Sequence, residues 1–336
     1  MRYSLLFFAD QDSGDARQRY DLLFASCRLA DERGFEAVWI PERHFHSFGG
    51  AFPNPALVAG AVATMTSRLR IRAGSVVAPL HDAPVLGHGE RVNNLSGGRV
   101  DLSFAAGWNA NDFVLAPARY PDRYGAMFGL IEEVDRLWAG GEVCRDNGEN
   151  VPVRVRVYPR PVQPSLRHWL TCTAAPERFT QAGERGLNVL TALLFQTPGE
   201  LKANIDAYRA ARARSGFPPG EGQVTLMLHA HLGGSVPEVH ELVRPAFSRY
   251  LESSVSLWKN RWKELEALEG RGKDLLLGFA FRRYSQSAAL FGTVESCQPL
   301  IADLAAAGVD EIACLVDFGL DSEQVLAGLA ELARLL

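Results

Sequence analysis

Glu42-Arg43-His44-Phe45-His46 sets an acid, a guanidinium and two imidazoles side by side, followed by the glycine pair Gly49-Gly50. Histidine is the side chain whose unperturbed pKa lets it hold or release a proton near neutrality, and a neighbouring carboxylate can orient it. Arginine stays charged and suits the binding of an anionic group better than proton transfer. These types at this spacing therefore fit a proton relay (His44, His46, with Glu42 orienting) beside an anion handle (Arg43). The structural alternative is that Glu42 and Arg43 pair with each other while backbone groups satisfy the histidines. The elements around the motif bear on that choice.

The motif follows Phe35–Ile40, an apolar run of strand length. Similar runs recur at Tyr3–Ala9, Leu69–Leu80, Val100–Ala106, His168–Thr173, Asn188–Leu194, Val224–Leu232 and Glu311–Val316. Helical spacing fills most of the intervals, as in Tyr20–Glu32, Pro55–Thr66, Ala83–Leu95 and Tyr124–Trp138. Gly34, Gly98, Gly186 and Gly308 each stand between a helical stretch and the next strand, where a left-handed glycine ends the helix and starts a tight turn. Strands without polar alternation imply a parallel sheet covered by helices. About eight such units in one chain predict a closed (β/α)₈ barrel, a single domain over 1–336. Two excursions interrupt it: a hairpin near 143–162 turning at Asp146-Asn147-Gly148, and a mainly helical insertion near 237–286. An open doubly wound sheet is the competing architecture, but no Gly-x-Gly-x-x-Gly follows the first strand.

In a barrel, chemistry belongs just after each strand. Those positions hold Asp10 and Gln11, the Glu42–His46 cluster, His81-Asp82, Trp108-Asn109 and Asp317, while His229 and His231 lie on the seventh strand. His44, His46, His81, His168, His229 and His231, six of eight histidines, fall on or just after predicted strands. His168 starts its strand and belongs to the opposite, structural end. His81 and His229 join Arg43 as candidate substrate contacts.

Composition narrows the partners. Of 336 residues 47% are hydrophobic and 22% charged, with a net charge of −4 and no basic stripe to track a nucleic acid. Arg154, Arg156, Arg160 and Arg167 read as a solvated hairpin face. The five cysteines form no CxxC pair and read as reduced residues. Met1-Arg2-Tyr3 leads straight into a strand, and no apolar run nears the ~20 residues of a membrane span, so a soluble cytoplasmic protein is expected. Small helix faces on Pro55–Thr66 and Tyr124–Trp138 suggest a homodimer.

A metal site is the first chemistry to weigh, but the first strand lacks the His-x-His that barrel metallohydrolases use, so none is assigned. No Gly-x-Ser-x-Gly elbow is present either. A large planar cofactor fits better. Ala73-Gly74-Ser75 offers small residues for a ring to lie against, Trp108 an aromatic wall and Asn109 an amide for a heterocycle edge. Thr171–Pro176 enters a helix whose free amides suit a phosphate.

Together, Trp39-Ile-Pro-Glu-Arg-His-Phe-His-Ser-Phe-Gly-Gly, Arg72-Ala-Gly-Ser-Val-Val-Ala-Pro-Leu-His-Asp, Asn94-Leu-Ser-Gly-Gly-Arg-Val, Ser103-Phe-Ala-Ala-Gly-Trp-Asn, Val224-Thr-Leu-Met-Leu-His and Asp310-Glu-Ile-Ala-Cys-Leu-Val-Asp-Phe-Gly resemble the luciferase-like flavin-dependent monooxygenases. The resemblance is to the branch found with peptide synthetases and polyketide synthases. It implies reduced FMN (FMNH2) from a separate flavin reductase, O2 activation, and oxygenation of an acyl or aminoacyl intermediate, with an acyl or peptidyl carrier protein as a partner of that branch. It also implies a strand bulge at Gly74-Ser75, often with a cis peptide, flavin contacts at Trp108 and Asn109, and phosphate contacts at Thr173, Ala174 and Ala175. Two departures stand out. Arg43 replaces a catalytic imidazole of the luciferases, and Ala174-Ala175 replaces a Gly-Asn pair, with Arg178 as a candidate to compensate. Two other functions remain open: hydride transfer with a deazaflavin (F420) or flavin on the same barrel, and a non-catalytic scaffold that has lost flavin.

Overall fold

The structure, a computed structural model, describes residues 1–8, 15–46, 49–83, 89–194, 196–255 and 281–336. Asp10, Gln11 and the charged run at 259–271 lie outside the described residues.

Eight parallel strands close into a ring: β1 (Arg2–Leu6), β2 (Ala37–Ile40), β3 (Arg70–Val77), β4 (Val100–Ala105), β7 (His168–Thr171), β8 (Asn188–Ala192), β9 (Val224–Leu232) and β11 (Glu311–Leu315). Pairing of β9 with β8 on one side and β11 on the other completes the closure. Every residue of β2 and β11 is buried, because a barrel strand has core on both faces. The predicted hairpin is present as antiparallel β5 (Val143–Asp146) and β6 (Pro152–Val155).

The intervals carry α1 (Ala16–Arg33), α2 (Pro55–Met65), α3 (Gly89–Ser96), α4 (Arg123–Trp138), α5 (Pro176–Glu184), α6 (Pro198–Arg214), α7 (Val236–Val255), α8 (Val294–Ala306) and α9 (Ser322–Leu332). The glycines expected between helix and strand, Gly34, Gly98, Gly186 and Gly308, have φ of 94°, 88°, 69° and 97°. A Cβ is disfavoured in that left-handed region, which is why glycine marks these reversals.

Two local features go beyond the sequence expectations. After the expected insertion a short strand, β10 (Ala289–Gly292), pairs with the distal half of β9 from His229 to Leu232. Two of the four arginines read as a solvated face also brace the fold, Arg160 from an exposed position and Arg167 half-buried. Arg160 donates to the last carbonyls of α4, Leu137 O at 2.9 Å and Trp138 O at 2.6 Å, and Arg167 donates to Gln223 at 3.0 Å. Arg154 and Arg156 do remain on the surface beside Glu142.

The core has two parts. One lies between strands and the outer helices, and the other fills the barrel and its mouth. At the strand N-termini, Arg72 is fully buried between the rings of Trp39 and Trp169, at 4.8 and 4.5 Å, with Asp101 and Glu311 as ion partners. At the other end, α7 and the helical stretch 281–287 bring Phe247 and Phe281 over the barrel, against Phe291 and Phe318. Burying each such ring stabilises the cap by roughly 1.5–3 kcal/mol. No described helix is long and apolar enough to cross a membrane.

Candidate active site

The mouth is shaped by a break in β3. Its register with β4 shifts between Gly74 and Val76, and the Gly74–Ser75 peptide is cis. A Cβ at Gly74 would lie 2.4 Å from Cε3 of Trp39, so no larger residue fits there without displacing the indole. The break presents Ser75, whose hydroxyl meets those of Ser103 (3.0 Å) and Thr171. A cavity of about 270 Å3 opens above them. Leu6, Leu190, Met227 and Leu315 form apolar walls, while Glu42, Arg43, Ser75, Trp108, Thr171 and Thr173 supply the polar and aromatic lining.

Glu42 stands between this cavity and a second one of about 250 Å3 that reaches toward Pro55, Ala59 and Val92. Its Oε1 lies 2.7 Å from His44 Nε2 and 2.8 Å from His81 Nε2, and its Oε2 accepts the Val77 N–H at 2.8 Å. Burial pushes this carboxyl upward, but the hydrogen bonds from His44, His81 and the Val77 amide outweigh it and hold the group below its ordinary value. Glu42 thus orients imidazoles rather than Arg43. His44 and His81 line the second cavity and not the mouth, and His46, half-buried, lines neither. Among the described residues no group of three histidine, cysteine or acidic side chains is arranged to hold a metal ion.

Arg43 turns the other way. It is 4% exposed, its Nη1 lies 3.3 Å from Asp112 Oδ2, and its guanidinium sits 4.8 Å from the centroid of the Trp108 ring. Burial lowers the guanidinium from its ordinary value, with Asp112 opposing, and burial likewise raises Asp112 despite Arg43. Asn109 is spent locally. Its carbonyl accepts the Asn111 N–H and its amide donates to Asp112, the usual work of an asparagine starting a helical turn. It holds Asp112 in place and does not line the cavity.

His229 reaches the cavity from β9, inside a cage of Phe247, Tyr250, Tyr284 and Phe318 with ring centroids 4.8 to 5.7 Å away. Burial lowers it to about 3, so it stays neutral near pH 7. Nδ1 meets the Tyr284 hydroxyl at 2.9 Å, and the buried Nε2 has no partner among the described residues. His231 packs instead against Gly328 of α9 and does not line the cavity.

A second polar locus lies at the start of α5. Ala175 caps that helix without a side-chain hydrogen bond; Pro176 has no N–H and the Arg178 N–H donates to Ala175 O at 3.0 Å, which leaves the Glu177 N–H as the first-turn amide with no partner among the described residues. Arg178 stacks on Tyr124 at 3.6 Å and Arg123 approaches the same ring at 5.2 Å, with Arg123 Nε buried and without a hydrogen-bond partner among the described residues. One open amide and two guanidiniums, one of them with an orphaned donor, fit a phosphate. Thr173 lines the mouth, while Ala174 and Ala175 do not; Ala174 offers its carbonyl to Asn204. Sequence reading missed Asp112, Ser103 and Arg123. Asp112, three residues after Asn109, carried a readable capping signal; the other two carried none.

A profile of the luciferase-like monooxygenase family matches residues 1–311. The oxygenase component of flavin-dependent trigonelline monooxygenase from Acinetobacter baylyi is 30% identical over 221 residues, 63% of this chain and 59% of that protein. The match thus spans less than two thirds of that relative. Among solved structures, monooxygenase RslO1 from Streptomyces bottropensis superposes with a TM-score of 0.82 at 22% identity, over 99% of this chain and 98% of that one. The oxygenating constituent of 3,6-diketocamphane monooxygenase from Pseudomonas putida, solved with FMN, gives 0.79 at 17% identity, over 99% and 96%. Both likenesses establish the shared barrel.

Proposed function

The chain belongs to the luciferase-like monooxygenase family, and from that premise we propose that it is an FMNH2- and O2-dependent monooxygenase acting on an acyl or aminoacyl substrate of secondary metabolism, free or carrier-bound. The observation that carries this reading is the pairing of an apolar mouth cavity, backed by the Ser75–Ser103–Thr171 hydroxyls, with the Glu177 amide and the arginines at the start of α5. A flavin ring and its phosphate ask for these two environments. Trp108 and Ser75 would flank the ring, and Arg123, Arg178 and the first turn of α5 would hold the phosphate. The description of the trigonelline relative as an oxygenase component supports reduced flavin from a separate reductase. The exposed Leu57 on α2 and Leu95 on α3 support a homodimer, which light scattering tests.

Reduced FMN, when bound, supplies the two electrons with which one oxygen atom of O2 enters the substrate and the other leaves as water. That outcome needs protons, and the relay we propose for them is Glu42 Oε1, shared by His44 Nε2 and His81 Nε2. Glu42 touches both cavities, so a proton held on either imidazole reaches the mouth through one carboxylate. The neutral His229 orients substrate by hydrogen bonding and takes no part in charge transfer. The apolar walls exclude water.

Stopped-flow mixing of the protein and reduced FMN with O2 tests the reading. A transient distinct from reduced and oxidised flavin, lost in Trp108→Asp, is expected. Oxidation at the rate of free flavin rejects it, and turnover with F420 but not FMN replaces it with hydride transfer.

A further inference from the structure

Arg43 leaves one edge of its guanidinium unused. Nη1 faces Asp112, while Nε and Nη2 are buried with no hydrogen-bond partner among the described residues. These two nitrogens form one side of the planar fork, and their N–H bonds point in parallel, at the spacing of the two oxygens of a carboxylate. The same chain shows what such an edge takes. Arg70 uses Nε and Nη2 to hold both oxygens of Asp101, at 2.8 and 2.5 Å.

Position and surroundings point to a ligand rather than to packing. Arg43 lines the mouth cavity beside Glu42, Ser75 and Trp108. Arg72, buried at the opposite end of the barrel, has all three of its guanidinium nitrogens engaged by acids. An orphaned pair of charged donors is costly unless something arrives to meet it. Asp112 and Glu42 already place negative charge nearby, so a singly charged ligand is accepted more readily than a phosphate dianion. A neutral carbonyl, as in an amide or thioester, fills only half of the fork.

We propose that the Nε–Nη2 edge of Arg43 is a subsite for a carboxylate on the organic substrate of the mouth cavity, with the Trp108 indole covering the ion pair. The inference rests on the reading of that cavity as the oxygenation site and deepens it: the substrate carries a free carboxylate at this end, and a thioester to a carrier, if present, lies elsewhere in the molecule.

Calorimetric titration of the full-length protein, with and without FMN, reads the subsite without turnover. The probes are benzoate and hexanoate against benzamide and hexanamide. At least one carboxylate is expected to bind roughly tenfold or more tightly than its amide, as two charge-assisted hydrogen bonds require. Arg43→Met should erase that preference while amide and FMN affinities persist, and Arg43→Lys should keep only part of it. A thermal melt checks that Arg43→Met is folded; if it is not, the Arg43→Lys comparison decides. Equal binding of acids and amides, no binding of either acid, or an unchanged preference in the variant overturns the proposal. So does a loss of FMN affinity in Arg43→Met with acid binding intact, which assigns the edge to the flavin. Failure of wild-type protein to bind FMN in either redox state is a different result: it rejects the flavin reading, and the titrations without FMN still decide the carboxylate subsite.

Discussion

The two ends of the barrel each bury an arginine, and treat it differently. At the strand N-termini, Arg72 donates to Asp101 at 3.1 Å, Glu311 at 2.6 Å and Glu36 at 3.3 Å, between two tryptophan faces. Glu311 is met in turn by Ser4 and Gln223. Burial pulls Arg72 downward, but Glu311 and Asp101 outweigh it and raise the guanidinium above its ordinary value. At the strand C-termini, Arg43 has one acid at 3.3 Å and ends below its ordinary value. A closed network resists change and locks strands from opposite sides of the barrel together. An open one retains affinity for something from outside. The same contrast separates Gly74, closed against Trp39, from the hydroxyls it presents to the cavity.

Breaking the floor should have the largest effect on folding. Arg72→Met leaves Asp101 and Glu311 buried without their common partner, and a loss of about 3–5 kcal/mol in urea unfolding is expected. A loss under about 1 kcal/mol would mean that the floor is as loosely held as the mouth.

The relay comes next, and its effect should fall on chemistry. His44→Ala should lower turnover by roughly 10²–10⁴-fold, the range for a lost general acid or base, with FMN binding retained. Unchanged turnover in a less stable variant would make the Glu42 cluster a strut.

Gly74→Ala is expected to cost about 1–3 kcal/mol by forcing the new methyl against the Trp39 indole. Melting temperature and FMN affinity should fall together, since the glycine serves both the core and the mouth.

Acid titration sharpens the contrast further. The Glu42 pKa is depressed in the fold, so its contribution is complete above the unfolded carboxylate value of about 4.3 and disappears as pH falls through the lower folded value. Wild-type protein should therefore lose more stability below about pH 4 than Glu42→Gln. Parallel stability curves would deny Glu42 that role. The smallest effect belongs to the open end: Arg43→Met combined with Asp112→Asn should change stability by no more than about 1 kcal/mol, because the pair it removes is long and incomplete.

Much of this architecture could be read along the chain. Barrel strands are buried on both faces and so appear as uninterrupted apolar runs, and the glycines at 34, 98, 186 and 308 mark the reversals between them. The interruption of the third strand at Gly74-Ser75 and the polar residues after each strand were legible too, because strand ends are local properties, while the bulge itself was expected from the family resemblance. β10 was not, being four residues long and paired only to the end of β9.

The division of labour among Glu42, Arg43 and His44 was settled only by tertiary structure. Neighbours in sequence, they divide between two cavities: Arg43 lines the mouth, His44 the second cavity, and Glu42 both. Their partners, His81 for Glu42 and Asp112 for Arg43, arrive on other loops 39 and 69 residues away. Sequence alone showed that the strand ends and their polar residues share one side of the barrel, since barrel topology delivers every strand end there. Which of them pair, and which keep donors open, depends on side-chain directions and distances that exist only once the ring has closed.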